Sequence, residues 1–240
     1  MQSDSLPLVL IPGLVCDEAV WKAQIAAFSP TRHVIVADHK NLDSLTDMAR
    51  NVLARAPRQF ALVGHSMGGR VALEILRIAP DRVRQLALLD TGFAPRATGE
   101  AGEQEAAKRY ALLDIAKTQG MRAMGIEWAR GMVHPDRLSD AVLMSEIHDM
   151  ISRKTVEQFA AQIRALLARP DAADVLAAIR CPTLVLSGRQ DSWSPWEQHV
   201  EIARRVRNCE LVAIERCGHM STMEQPEQVT AALRTFLDAA

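Results

Sequence analysis

The chain has 240 residues, a formal net charge of −1 and 48% hydrophobic side chains. That length suffices for one large α/β domain with a sizeable core, while the charge balance offers no electrostatic footprint for nucleic acid or an anionic membrane. No apolar run reaches the roughly 18 residues of a spanning helix, and Met1-Gln2-Ser3-Asp4-Ser5 has neither a basic nor an apolar leader region, so a cytoplasmic protein with no nucleic-acid or membrane partner is expected.

Short β-rich runs alternate with helical patterns from the start of the chain. Residues 8–11 read as a strand followed by a helix near 18–28, 33–37 as a strand followed by a helix over 45–56, and 60–63 as a strand followed by a helix over 67–79 that Pro80 stops. A strand at 86–89 comes next. The rhythm resumes with a strand at 183–187, a helix near 197–206, a strand at 210–214 and a last helix at about 226–237. Unbroken Val/Leu/Ile runs predict an α/β protein with a mostly parallel sheet of about six strands, covered by helices on both faces.

Between Asp90 and Arg180 this rhythm fails. Four segments, 103–118, 121–130, 137–151 and 154–168, read as amphipathic helices separated by Gly120, Gly131 and Pro135, with Gly99 and Pro170 at the margins. The expected organisation is a core of residues 1–94 and 171–240 with a helical cap inserted at 95–170. An insertion that leaves from the C-terminal end of one strand lies at the ligand edge of an open α/β sheet.

Phe60-Ala61-Leu62-Val63-Gly64-His65-Ser66-Met67-Gly68-Gly69 breaks a strand at Gly64 and restarts as a helix after Ser66. This is the G-x-S-x-G pattern of a nucleophile elbow, where the serine sits on a strained strand-to-helix turn. Three fixed positions arise by chance about 0.1 times in a chain of this size, so the surroundings must carry the reading. A serine nucleophile needs a base, and the base an orienting acid. Asp191 lies just past the strand at 183–187 and His219 just past that at 210–214, in the order Ser, Asp, His expected of this fold. Asp90 also ends a strand, but Asp191 has the better flanks. His65 beside the serine reads as structural, and His33, His39 and His199 lack catalytic context. His134 and His148 read as surface residues of a helical segment. Cys16, Cys181, Cys209 and Cys217 have no C-x-x-C spacing and the histidines no H-E-x-x-H spacing. Reduced thiols, no metal and no cofactor are expected.

With Leu8-Val9-Leu10-Ile11-Pro12-Gly13, Gly64-His65-Ser66-Met67-Gly68-Gly69, Asp191 with Pro195, and Gly218-His219 followed by Glu224 and Pro226, the chain resembles the single-domain α/β-hydrolases over nearly its whole length outside the insertion. The resemblance implies Ser66 as nucleophile, His219 as general base and then acid, and Asp191 as the carboxylate that holds the imidazole tautomer. It implies an oxyanion hole from the backbone N–H groups of Leu14 and Met67. Pro12 stands where the family usually has a histidine, so imidazole bracing of the first loop is expected to be lost. The loop after Asp38, His39-Lys40-Asn41-Leu42-Asp43-Ser44, also departs from the family's Arg-Gly-x-Gly-x-Ser.

Serine rather than aspartate at the elbow disfavours dehalogenase and epoxide hydrolase chemistry and leaves esters and thioesters. Resemblance to the small carboxylesterases suggests a small-molecule ester substrate with a short or medium acyl chain, or a methyl ester. Met121, Met124, Ile126, Trp128, Met132, Met144, Met150 and Phe159 of the insertion, with Phe93, Trp193 and Met223 at strand ends, offer a hydrophobic acyl pocket. Phe93, Met124, Trp128, Trp193 and Met220 are its candidate lining. C–C bond hydrolysis or elimination on an anionic compound is the rival chemistry, for which Arg109, Arg122, Arg130, Arg153 and Arg164 are available. A non-catalytic binding protein is the rival class, and it would be expected to lack a triad member.

Overall fold

In the computed structural model, the apolar runs form one six-stranded, wholly parallel sheet in the order β2-β1-β3-β4-β5-β6. The strands are β1 (Leu8–Ile11), β2 (Val34–Val36), β3 (Phe60–His65), β4 (Val83–Leu89), β5 (Thr183–Gly188) and β6 (Cys209–Ile214). The structure describes residues 5–239; Met1-Gln2-Ser3-Asp4, read above for a leader, and Ala240 lie outside the described residues. Every residue of β1, β3 and β5 is buried, as parallel strands covered on both faces require. β2 and β6 are only half-buried because they are the two edges. β3 runs two residues beyond the predicted strand and β4 starts three residues before it, because glycine and polar positions complete the ladder once neighbours pair with them.

The helices of the sheet layers are α1 (Lys22–Phe28), α2 (Leu45–Arg55), α3 (Met67–Ile78), α9 (Trp196–Arg205), α10 (Ser221–Glu224) and α11 (Pro226–Asp238). α1 is shorter than predicted because residues 18–21 form a 3₁₀ turn capped by the Asp17 side chain. Between β4 and β5 come α4 (Glu100–Gln119), α5 (Met121–Arg130), α6 (Ala141–Ser152), α7 (Val156–Leu167) and the short α8 (Ala173–Ala178). α8 and α10 carry too few turns for a periodic signal. α6 begins four residues later than its predicted start: Pro135 opens a 3₁₀ turn, and Asp140 caps the helix by accepting the Leu143 N–H at 3.1 Å. α7 opens on a capping box in which Thr155 and Gln158 exchange side-chain and backbone hydrogen bonds. α4 departs from the amphipathic expectation most, since over 20 residues it buries only Gly102, Leu113 and Ala116.

Because β1 pairs with β2 on one side and β3 on the other, the connections diverge between β1 and β3. That divergence opens a crevice at the C-terminal strand ends. The helices inserted after β4 are tied to the same edge by Arg153 on Asp17 at 2.8 Å, Lys22 on Glu146 at 2.6 Å and Arg164 on Asp43 at 3.2 Å. No helix among the described residues is long and apolar enough to cross a membrane.

Candidate active site

Ser66 follows β3 directly and caps α3 with φ +56° and ψ −119°, a conformation that costs an L-residue energy and persists only where neighbours enforce it. The enforcement is visible. The Ser66 N–H donates to the Leu89 carbonyl at 2.8 Å, and its carbonyl accepts from Thr91 Oγ1 at 2.7 Å. A Cβ on Gly64 would meet the backbone of Gly68 and Gly69, and one on Gly68 would fall onto the Ile11 carbonyl. The glycines of the motif are therefore steric necessities of a sharp turn packed against β1.

His219, five residues past β6, places Nε2 at 2.7 Å from Ser66 Oγ and Nδ1 at 2.7 Å from Asp191 Oδ2. Because a carboxylate accepts, Nδ1 carries the proton and Nε2 is left to accept from the serine hydroxyl. Asp191 is fixed in turn, its Oδ1 accepting the N–H groups of Trp193 at 2.8 Å and Ser194 at 2.9 Å. Burial opposes charge on both side chains. The mutual attraction outweighs it, holding the His219 imidazole above its ordinary value and the Asp191 carboxyl below its own. Asp90, at the end of β4 with φ +48°, takes no place beside His219 Nδ1. It accepts the Gly188 N–H and bonds the Ser221 hydroxyl, and burial, reinforced by the nearby Asp191 charge, pushes its carboxyl well up.

The loop that carries His219 is held by a group the sequence reading quoted only as part of a motif. Glu224 accepts the N–H groups of Gly218 at 3.1 Å, Met220 at 3.0 Å and His134 at 2.8 Å. The His219 N–H donates to the Met132 carbonyl and its own carbonyl accepts from His65 Nε2 at 2.8 Å. His65 thus positions the loop from behind the elbow, and burial lowers its pKa to about 4.

Leu14 and Met67 line the cavity beside Ser66, and neither backbone N–H has an acceptor among the described residues. The first loop is braced after all. His39 is buried, lies after β2 and places Nε2 at 3.3 Å from the Pro12 carbonyl, so an imidazole from another loop reaches the segment where Pro12 replaced one. From the other side α7 sends Gln162, whose Oε1 accepts the Val15 N–H at 2.8 Å while Val15 holds φ +54°. His199 is likewise structural, its Nε2 accepting the Thr91 N–H at 2.9 Å. No signal in the residues around His39 or Gln162 foretold these contacts.

The cavity over Ser66 has a volume of about 580 Å³ and is bounded by strand-end residues and by α4, α5 and α7. Of the predicted lining, Trp128 and Trp193 are present. Phe93, Met124 and Met220 are not. Met124 and Met220 are fully buried in the hydrophobic core, as are Met150 and Phe159, and Phe93 lies under the Arg205 guanidinium. Helical spacing marks a face as buried and cannot distinguish packing from a lined cavity. The cavity wall instead carries Arg70, Lys108, Arg109 and Arg169 with Glu105. Arg169 grips both Glu105 oxygens at 2.7 Å and Arg109 joins them, so that although burial opposes it the Glu105 carboxyl is held down at about 2. Of the arginines named from sequence only Arg109 reaches the cavity, whereas Arg122 and Arg130 pair with Asp149 and Glu127 on the exterior.

Cys16 and Cys217 are buried and Cys181 and Cys209 half-buried, all free, and burial pushes the Cys16 thiol up to about 12. His134 and His148 are half-buried rather than surface residues. Among the described residues no group of three or more His, Cys, Asp or Glu side chains is gathered as for a metal ion.

Residues 8–233 match the profile described as the Alpha/beta hydrolase family. The chain is similar to a solved thermophilic esterase from Thermogutta terrifontis, with a TM-score of 0.86 at 28% identity over 98% of this chain and 90% of that one. It is also similar to (E)-2-((N-methylformamido)methylene)succinate hydrolase of Acinetobacter baylyi, at 25% identity over 99% of this chain and 92% of that protein. The pimeloyl-[acyl-carrier protein] methyl ester esterase of Aliivibrio fischeri is 24% identical over 99% of this chain and 95% of its own length.

Proposed function

The chain belongs to the alpha/beta hydrolase family, and we propose that within it this protein is a serine carboxylesterase acting on small esters. The observation that carries the reading is the pair of 2.7 Å contacts linking Ser66 Oγ, His219 and Asp191 in one line at the floor of a cavity. Ser66 Oγ gives its proton to His219 Nε2 as it bonds to the ester carbonyl carbon. The developing oxyanion takes the free N–H groups of Leu14 and Met67, the latter at the positive end of α3. His219 then passes the proton to the departing alkoxide as the C–O bond breaks, leaving an acyl-Ser66. Water repeats the sequence and releases the acid. Asp191 stabilises the imidazolium throughout and keeps Nδ1 protonated.

The helices inserted after β4 act as the cap. Core hydrogen bonds set the reaction, and the cap side chains facing the cavity select the ester. Similarity to proteins named as an esterase and a methyl ester esterase supports esters as the substrate class.

A fluorophosphonate probe followed by a panel of p-nitrophenyl esters tests this. The wild type should be labelled once, at Ser66, and should turn over the short and medium esters. Labelling that persists in Ser66→Ala, or a labelled wild type that hydrolyses no ester, contradicts the proposal.

A further inference from the structure

Among the described residues Arg70 is the one cavity arginine that pairs with no acid, and Lys108, exposed on the rim, pairs with none either. Arg70 lies on the first turn of α3, where its N–H donates to the Ser66 carbonyl at 3.4 Å, and both residues line the cavity. Its Nη1 donates to the Ala94 carbonyl at 2.9 Å, while Nε and Nη2 have no acceptor. Glu105, the only acid among the lining residues, is already gripped by Arg169 and Arg109. The strain of this arrangement is electrostatic: burial, with the charges of Arg169 and Arg109 added, lowers the Arg70 guanidinium to about 9. A half-buried guanidinium without a counter-ion pays part of the cost of leaving water, and a bound anion offsets it.

Two further features point the same way. Trp128 is 3% exposed, lines the cavity, and its indole Nε1–H has no hydrogen-bond partner among the described residues. Lys108 stands on the same wall, on the α4 face that buries so little.

We infer that the ester substrate carries a free carboxylate a few carbons from its scissile carbonyl, and that Arg70 receives this carboxylate while Ser66 attacks the carbonyl. The substrate class is the monoester of a short dicarboxylic acid. The open Nε and Nη2 edge of the guanidinium fits the two oxygens of a carboxylate, and the cavity of about 580 Å³ that Arg70 shares with Ser66 limits the spacer to a short one. Neutral diesters enter the same cavity without that contact. The inference rests on the esterase reading for its reaction and on the cavity alone for its anion site.

Monomethyl glutarate and dimethyl glutarate separate the two. In the wild type kcat/KM for the monoester should exceed that for the diester by at least about tenfold, the factor that about 1.4 kcal/mol of selective binding confers. Arg70→Met should bring the ratio near one, and the ratio within each variant divides out any general loss of activity. Arg70→Lys should recover part of it. Arg122→Gln, which removes a charge from the cap exterior, should leave it. In parallel, glutarate should raise the Tm of the wild type relative to glutaramide at equal ionic strength, and should do so less in Arg70→Met. Equal kcat/KM for the two esters with no glutarate-specific rise overturns the anion site and keeps the esterase. A glutarate-specific rise in a protein that cleaves neither ester keeps the anion site and discards the esterase. Where an Arg70 variant fails to fold, the wild-type ratio and Tm shift decide alone.

Discussion

The floor of the cavity, at the strand ends, holds its side chains through backbone hydrogen bonds, whereas the wall supplied by the inserted helices holds its own largely through ion pairs. Asp191 is aimed by two N–H groups, the His219 loop by Glu224 on three, and Ser66 by a turn that admits no other path. Across the cavity, Arg169, Glu105 and Arg109 hold one another, and Arg109 lies 5.7 Å from the Trp193 ring centre. Buried backbone hydrogen bonds fix an atom against a frame that cannot move without unfolding. Ion pairs between long side chains, even mostly buried ones such as Arg169–Glu105–Arg109, hold through side-chain rotamers rather than through the backbone frame, and can be rearranged when a substrate brings its own charge. Chemistry that needs atoms placed within a few tenths of an ångström belongs on the first wall. Selectivity, which must change when the substrate does, belongs on the second.

The comparison breaks if the floor tolerates change. Ser66→Ala should lower kcat for the best ester by about 10⁶, the loss seen when a serine hydrolase loses its nucleophile, read in a steady-state assay with the folded state checked by circular dichroism. Asp191→Asn should cost as much as ~10⁴ because the histidine then adopts the wrong tautomer. The pH profile gives a second reading. Only neutral His219 can accept the serine proton, and Asp191 holds its pKa above 6.5, so the acid limb of kcat/KM in the wild type should have its midpoint above pH 6.5. Without that charge, burial dominates and the residual activity should keep to lower pH. A silent Asp191→Asn beside a crippled Asp90→Asn would move the acid to the end of β4.

The two walls were also unequally legible in the sequence. The floor could be read because parallel strands announce themselves as apolar runs and the proposed catalytic groups follow them: Ser66 at the end of β3, Asp191 three residues beyond β5, His219 five beyond β6. Position relative to a strand end is nearly the whole of their signal. The inserted wall has no such landmark. α4 is polar nearly all round, so its cavity-facing Glu105, Lys108 and Arg109 resemble its solvent-facing residues, and of the buried methionines that did form a pattern Met132 lines the cavity while Met124 and Met150 belong to the packing. Arg70 was hidden in plain sight, four residues beyond Ser66. His39 and Gln162 could not be read at all, because each acts on the first loop across a contact distant in sequence.

Gln162 sharpens the comparison, since among the described residues it is the one residue of the inserted helices that reaches the floor by a buried hydrogen bond to the backbone of the first loop. Its amide oxygen receives the Val15 N–H directly after the proposed oxyanion donor Leu14. Gln162→Leu leaves that N–H buried and unpaired, which costs about 1–3 kcal/mol and loosens Leu14. The expected loss is about tenfold in kcat with little change in KM, below the ~10²–10³ of a wholly removed oxyanion donor. A change in KM alone would place Gln162 with the specificity wall instead.

The smallest effect expected separates the walls by pH. His39 is buried against Pro12 and its pKa is lowered to about 4, chiefly by burial, so the folded protein leaves it neutral where the unfolded chain begins to protonate it below about 6.5. Protons therefore favour the unfolded chain between these values, and the stability that a neutral His39 contributes is lost as pH falls from 6.5 toward 4. At most this is about 1.4 kcal/mol per pH unit. Glu105 behaves oppositely in range: its carboxyl is held down at about 2, its contribution is present above the ordinary carboxylate range, and it is lost only as pH falls toward 2. Taking Tm at pH 7 and pH 5, His39→Gln should lose less than the wild type on acidification, because one proton-binding difference has been removed. Glu105→Gln should shift Tm by a similar amount at both values. If the Glu105 variant changes the pH 7 to pH 5 difference and the His39 variant does not, the acid sensitivity lies in the inserted helices and the division between the two walls fails.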